Sequence, residues 1–198
     1  LFEKMKHTIR SILKRLFDIG IALISLILLS FPILGIAALV RATSSGPVLY
    51  FSNRVGQGNQ IFKMPKFRTM KQGAPVVATH LLINPDNYLT PIGSFLRKTS
   101  LDELPQLWSI LVGDMSFVGP RPALFNQHDL IALRQERGVH LLMPGLTGWA
   151  QINGRDELPI PQKVELDEEY LQRRSFLFDL KILWLTAIKV IARDGVTH

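Results

Sequence analysis

Hydrophobic and polar positions follow three different patterns along the chain. From Ile19 to Val40 there is no alternation: "IGIALISLILLSFPILGIAALV" carries no charge over about 22 residues. As a helix it would be roughly 33 Å long, against about 30 Å of bilayer hydrocarbon, so it reads as a membrane segment. A cleavable signal peptide is disfavoured, because the run is long and no small-x-small site ends it. Ser30 and Pro32 sit at its middle, where Pro32 removes a backbone donor and kinks the helix. The second pattern is "PVLYFSNRVGQGNQIFKMPKFRTM", two β-rich runs around the Gly56-Gln57-Gly58-Asn59 turn, which predicts a β-hairpin. The third is helical spacing, which predicts helices at Ile92–Lys98, Leu104–Val112, Phe125–Arg137, Val164–Arg174 and Phe176–Arg193. In the last of these, Lys181, Lys189 and Arg193 fall within about 120° on a helical wheel. That pattern suits an interfacial amphipathic helix or a core helix. Residues 74–90 read as a loop, and "MPGLTGWAQINGRDELPIP" is so rich in Gly and Pro that a structured loop is expected. The fold class is α/β, mostly helical with a small β-hairpin. It divides into a membrane unit over residues 1–45 and a globular unit over 46–198.

Charge sharpens the membrane reading. The net charge is +7, but residues 1–85 hold 11 Lys and Arg against Glu3 and Asp18, whereas residues 86–198 hold 12 basic and 14 acidic side chains. A basic region suits nucleic acid or an anionic lipid surface, and the apolar segment inside it selects the lipid. Nucleic acid is therefore not an expected partner. Lys4, Lys6, Arg10, Lys14 and Arg15 precede the segment; Arg41, Arg54, Lys63, Lys66, Arg68 and Lys71 follow it. The positive-inside rule places one basic flank on the cytoplasmic side, not two. A helix that enters, bends at Ser30-Phe31-Pro32 and returns satisfies both flanks, and a re-entrant hairpin is preferred to a kinked spanning helix. Phe176–Arg193 adds a candidate interfacial helix. The chain has no cysteine, which excludes disulfides, thiolate zinc sites and a cysteine nucleophile, and its five histidines form no H-E-x-x-H pattern. It begins at Leu1, which suggests a chain trimmed from something longer.

The candidate chemistry lies in "KTSLDELPQLWSILVGDMSFVGPRP". Asp102 and Glu103 stand at an expected helix start. One reading is structural: Ser100 and Glu103 fit a capping box, Pro105 suits a first helical turn, and acidic residues there offset the helix dipole. The other is functional: a helix start collects phosphate, and a carboxylate there is available as nucleophile or metal ligand while its neighbour moves a proton. Prolines on both sides of Arg121 limit its backbone freedom and aim its donors. Lys66, Arg68, Arg97, Arg121 and Arg155 are the candidate phosphate-binding cations, and Asp102 is the candidate metal ligand. Gly145, Gly148 and Gly154 allow close approach of backbone to a ligand. Trp149 could stack on a base, sit in the core or anchor at a membrane interface.

"SLDELPQLWSILVGDMSFVGPRP", "PGLTGWAQINGR" and "RRSFLFDLKILWLT" closely resemble the bacterial sugar transferase family, the monotopic phosphoglycosyl transferases. The resemblance runs from "KRLFDIG" to "RDGV". It implies a re-entrant membrane helix, a bacterial inner-membrane location, and residues 46–198 as a catalytic domain on the cytoplasmic face. It implies transfer of a sugar 1-phosphate from a UDP-sugar to a polyprenyl (undecaprenyl) phosphate with Mg2+, the first membrane step of a glycoconjugate pathway. By that resemblance Asp102 is the nucleophile of a phosphosugar–aspartyl intermediate formed with loss of UMP, and Glu103 is its acid–base partner. A homodimer is left open as a further partner. Two positions depart from the family pattern: Met143 stands where Arg is common before Pro144, and Phe31 separates Ser30 from Pro32.

Overall fold

The computed structural model describes residues 2–75, 84–154 and 158–192. The apolar segment forms two helices, α1 (Phe2–Leu28) and α2 (Ser30–Thr43). Ser11–Leu28 and Ser30–Thr43 meet at 63°. The cause is local. Pro32 has no N–H for the Leu28 carbonyl, and Ser30 Oγ turns back to donate to Ile27 O at 2.8 Å. Regular bonding resumes with Ile33 N to Leu29 O at 2.9 Å. Among the described residues no single helix is long and apolar enough to cross a membrane; the two pass that test only as a bent pair. Phe31, at the apex of the bend, is 86% exposed, and Ile27 and Leu28 beside it are 72% exposed.

The expected hairpin forms as β1 (Leu49–Val55) and β2 (Ile61–Phe67), antiparallel, with Leu49 opposite Phe67 and Val55 opposite Ile61. Gly58 and Asn59 take positive φ in the turn. Met64 and Lys66, two residues apart on β2, share one face of the strand; Met64 is buried in the core and Lys66 reaches the site described below. α3 (Gly93–Lys98), α4 (Gln106–Val112), α5 (His128–Glu136), α7 (Ile160–Arg173) and α8 (Phe176–Ala192) match the expected helices within a few residues. α4 starts later than Leu104, because a separate 3-10 turn, Leu101–Glu103, precedes it.

The Gly- and Pro-rich stretch is more regular than expected. It contains β4 (Gly145–Thr147), parallel to β3 (Ser116–Val118), and a one-turn helix, α6 (Trp149–Ile152). A Cβ on Gly145 would lie 2.1 Å from Gly119 N, and one on Gly148 would lie 2.1 Å from Gly119 O. These glycines therefore admit the backbone after β3, the role first assigned to a ligand.

α1 is built into the body of the protein. Ala22 belongs to the main core with Leu107 and Ile110 of α4, Phe117 and Val118 of β3, and Phe178 and Ile182 of α8. Arg15 donates to the carbonyls of Ile110 and Leu111, at the C-terminal end of α4 where cations are favoured. Lys14 Nζ donates to Asp179 Oδ2 at 2.5 Å, Val118 O at 3.0 Å and Tyr170 OH at 3.2 Å. So Lys14 and Arg15, read from the sequence as part of the basic flank before the membrane segment, tie α1 to α4, α7, α8 and β3. α8 buries Phe178 and Ile182 on one side and exposes Leu177, Leu180, Trp184 and Ile188 on another, so it is a core helix with an uncovered apolar stripe.

Candidate active site

Two adjacent carboxylates form the centre, and backbone geometry sends them different ways. Ser100 takes a left-handed conformation (φ 56°), which turns the chain out of α3 into the 3-10 turn Leu101–Glu103. Such a conformation is uncommon for a residue other than glycine and costs of order 1 kcal/mol. The Ser100 side chain makes no capping bond, so the expected capping box does not form. Asp102 is buried, at 7% exposure, while Glu103 turns toward β2 and the segment after β3.

Lys66 Nζ, from β2, donates to Glu103 Oε1 at 2.8 Å and stands 3.9 Å from Asp102 Oδ2, beyond hydrogen-bond reach. Arg121 Nη2 donates to the same Glu103 oxygen at 2.8 Å. Arg97, from α3, donates through Nε to Thr69 Oγ1 at 3.0 Å, and its charge acts on Asp102. The structure thus brings together Asp102, Glu103, Lys66, Arg97 and Arg121 out of the expected set.

The two carboxyl groups titrate in opposite directions. Burial pushes Asp102 up from its ordinary value, against the pull of Lys66, and the charge of Glu103 pushes the same way. Burial also acts upward on Glu103, but Arg121 and Lys66 together overcome it and hold Glu103 far below the usual carboxylate range. Glu103 is therefore a fixed anion bonded to two cations, whereas Asp102 has the Lys66 ammonium only at 3.9 Å. Three cations, Lys66, Arg97 and Arg121, surround the two carboxylates.

Arg121 is held by its backbone. Pro120 O accepts from Gly145 N at 2.9 Å, Arg121 O from Arg134 Nη1 at 2.8 Å, Pro122 O from Arg54 Nη1 at 3.0 Å, and Ala123 O from Val55 N at 2.9 Å. β1, β4 and α5 thus fix four consecutive carbonyls.

A family model described as bacterial sugar transferase matches residues 9–193. The chain belongs to the bacterial sugar transferase family. It is 44% identical over 186 residues to the uncharacterized sugar transferase EpsL of Bacillus subtilis (strain 168), a match covering 93% of this chain and 90% of that one. It is 40% identical over 197 residues to the UDP-glucose:undecaprenyl-phosphate glucose-1-phosphate transferase of Escherichia coli (strain K12), covering 96% of this chain and 42% of that one. To the undecaprenyl-phosphate galactose phosphotransferase of Salmonella typhimurium it is 35% identical over 199 residues, covering 92% of this chain and 41% of that one. The chain spans less than half the length of these last two relatives.

Other expected site residues of this sugar transferase lie elsewhere. Arg155 falls outside the described residues. Arg68 is not brought to the carboxylates. It is buried at the end of α2, where Nε donates to Pro47 O at 2.6 Å, Nη1 to Ser45 O, and Nη2 to Ser44 O and Oγ, both at 3.0 Å. Trp149 is packed, not offered to a base: its ring lies 5.0 Å from that of Phe178, and Nε1 donates to Glu169 Oε2 at 2.7 Å. Among the described residues, no three His, Asp or Glu side chains gather as a metal site. Mg2+ does not require one, since it is held by one or two carboxylates together with substrate phosphates. Asp102 fits that role, because Glu103 is already committed to Lys66 and Arg121.

Proposed function

We propose that this sugar transferase moves a sugar 1-phosphate from a UDP-sugar to polyprenyl phosphate at the cytoplasmic face of a bacterial inner membrane. The observation that carries the reading is the buried Asp102 carboxylate set among Lys66, Arg97 and Arg121 beside Glu103, whose Oε1 is held by Lys66 and Arg121. The name of the Escherichia coli relative supports both the donor and the acceptor class, and that of the Salmonella relative the acceptor.

The donor diphosphate binds beside Asp102, where Lys66 and Arg121 exchange part of their hold on Glu103 for phosphate oxygens. An Asp102 oxygen attacks the phosphorus that carries the sugar. The P–O bond to UMP breaks, and UMP leaves with its electron pair. A phosphate oxygen of the polyprenyl acceptor then attacks the same phosphorus, and Asp102 leaves as a carboxylate. As Lys66 and Arg121 move onto phosphate, Glu103 regains the capacity to accept a proton from the acceptor phosphate. Mg2+ bound at Asp102 and the diphosphate would neutralise charge that builds on the leaving UMP. The exposed apex of Ile27, Leu28 and Phe31 and the apolar stripe of α8 supply the lipid-facing surface.

The test is Mg2+-dependent UMP release across a panel of UDP-sugars, with and without polyprenyl phosphate. Release with at least one sugar is expected; none with any sugar would overturn the reading. Arg121→Lys is expected to lower kcat/KM by about 10- to 100-fold, because an ammonium cannot hold Glu103 and phosphate as a planar fork does. Its Tm should move by less than about 3 °C, since one partly exposed donor is changed. A variant that unfolds, yet is fully active in its folded fraction, would make Arg121 a structural residue.

A further inference from the structure

Of the four donors that fix the carbonyls of residues 120–123, Arg134 stands apart. Arg134 on α5 is 8% exposed, and Asp167 on α7 is 1% exposed. Arg134 Nε and Nη2 both donate to Asp167 Oδ2, at 3.0 and 2.6 Å. A guanidinium gripped through two donors by a buried carboxylate cannot swing, so its remaining donor points in a fixed direction. That donor, Nη1, meets Arg121 O at 2.8 Å. Arg121 is the residue whose side chain holds Glu103.

We propose that the buried Arg134–Asp167 pair is a positioning device for Arg121, setting the backbone from which its guanidinium reaches Glu103 and the donor diphosphate. The inference rests on the part given above to Arg121 in the transfer. A buried ion pair is a poor source of stability: desolvation offsets much of its attraction, and apolar side chains of similar volume often replace it without loss. What the pair supplies here is direction. It connects α5 and α7, neither of which contributes a side chain to the carboxylate cluster, to the cation that organises it.

The pair can be removed without leaving a lone buried charge. Arg134→Met with Asp167→Leu, made in the full chain, deletes both charges and the bond to Arg121 O. The double variant is expected to fold with a Tm close to that of the parent. Its kcat/KM for the UDP-sugar should fall at least about tenfold, with the same division between kcat and KM as Arg121→Lys. In an Arg121→Ala background the same double change should alter kcat/KM by less than about twofold, because its effect runs through a side chain already gone. In a structure of the double variant, Arg121 Nη2 should have left Glu103 Oε1.

Wild-type kcat/KM in the folded double variant would overturn the inference. So would an equal loss in both backgrounds, which is what a merely structural pair gives. If the apolar pair does not fold, Arg134→Lys takes its place, since it keeps a charge opposite Asp167 but loses the fork; the same non-additivity is expected, and additive losses refute it. A wild type that releases no UMP from any UDP-sugar refutes the proposed function instead. The structural readout still decides the positioning role, because a retained Arg121–Glu103 bond in the variant excludes it whatever the activity.

Discussion

Asp102→Asn will give a folded protein that releases UMP more than about a thousandfold more slowly, the scale expected when a covalent nucleophile is removed. It will also be at least as stable as the wild type at pH 7. The second expectation comes from the direction of the Asp102 shift. Its proton affinity is raised above the ordinary value of 3.8 by burial, even with Lys66 and Arg97 pulling the other way. A carboxyl group raised in this way favours the folded state most when protonated, and stability is lost as pH rises through its folded value. At neutral pH the wild type bears that cost, and a neutral amide of the same shape does not. Glu103→Gln should behave in the opposite sense. Glu103 is depressed below 4.5 by Arg121 and Lys66, so its contribution is present above that value and lost as pH falls through the folded one. Replacing it with Gln at pH 7 removes the negative charge shared by two cations, leaving at most a neutral amide acceptor, and should lower Tm by roughly 2–8 °C, from about 1–2 kcal/mol of charge-assisted bonding. Melting curves and UMP release on both variants check the pair of signs. An Asp102→Asn protein that keeps a tenth of its activity, or melts well below the wild type, would remove Asp102 from the role of reactive carboxylate.

What could be read from the sequence was what short-range physics controls. The hairpin announced itself by two β-rich runs and a Gly-Asn turn, and the helices by their spacing. Asp102, Glu103 and Arg121 could be found because a carboxylate pair and a proline-flanked arginine are unusual in themselves. β4 and α6 could not, because each is only a few residues long and exists through its contacts: Gly145 and Gly148 look like loop residues until Gly119 is packed against them. Arg68 looked like its basic neighbours, and only the fold shows its guanidinium closed around Ser44, Ser45 and Pro47. The capping box failed because Ser100 is in the left-handed region, not the extended one that a capping residue takes, and its side chain makes no cap bond. Arg134 and Asp167 were missed although a signal existed. Each stands on the buried face of its helix, Arg134 one turn beyond Leu130 and Asp167 between Val164 and Tyr170. A charge on an apolar stripe calls for a buried partner, and pairing two such stripes across helices requires the topology.

Both ends of the apolar segment will be found on one side of the membrane. The fold supplies a reason that the basic flanks alone do not. Lys14 and Arg15 fasten the start of the segment to Asp179, Val118, Ile110 and Leu111. Arg68 fastens its end through Ser44, Ser45 and Pro47. Two ends attached to one folded body cannot lie on opposite faces of a bilayer. The lengths agree: with the break at Leu29, each apolar arm has ten or eleven residues, roughly 15–17 Å, against about 30 Å of hydrocarbon. The apex that would lie deepest carries Ile27, Leu28 and Phe31, all strongly exposed. Because the chain has no cysteine, Lys4→Cys and Gln60→Cys give clean sites for a membrane-impermeant thiol reagent. In otherwise wild-type protein both should label only after the cytoplasmic side is opened. Replacing Ser30 and Pro32 with leucine restores a donor for the Leu28 carbonyl and removes the turn-back bond to Ile27. The straightened helix is then long enough to cross, but crossing requires the Lys14 and Arg15 attachments to break. Part of the population should therefore expose the Lys4 site to the outside and lose UMP release, and Lys14→Ala with Arg15→Ala should enlarge that part. Labelling of the Lys4 site from outside intact cells with Ser30 and Pro32 in place would sink the hairpin and make the segment an ordinary spanning anchor.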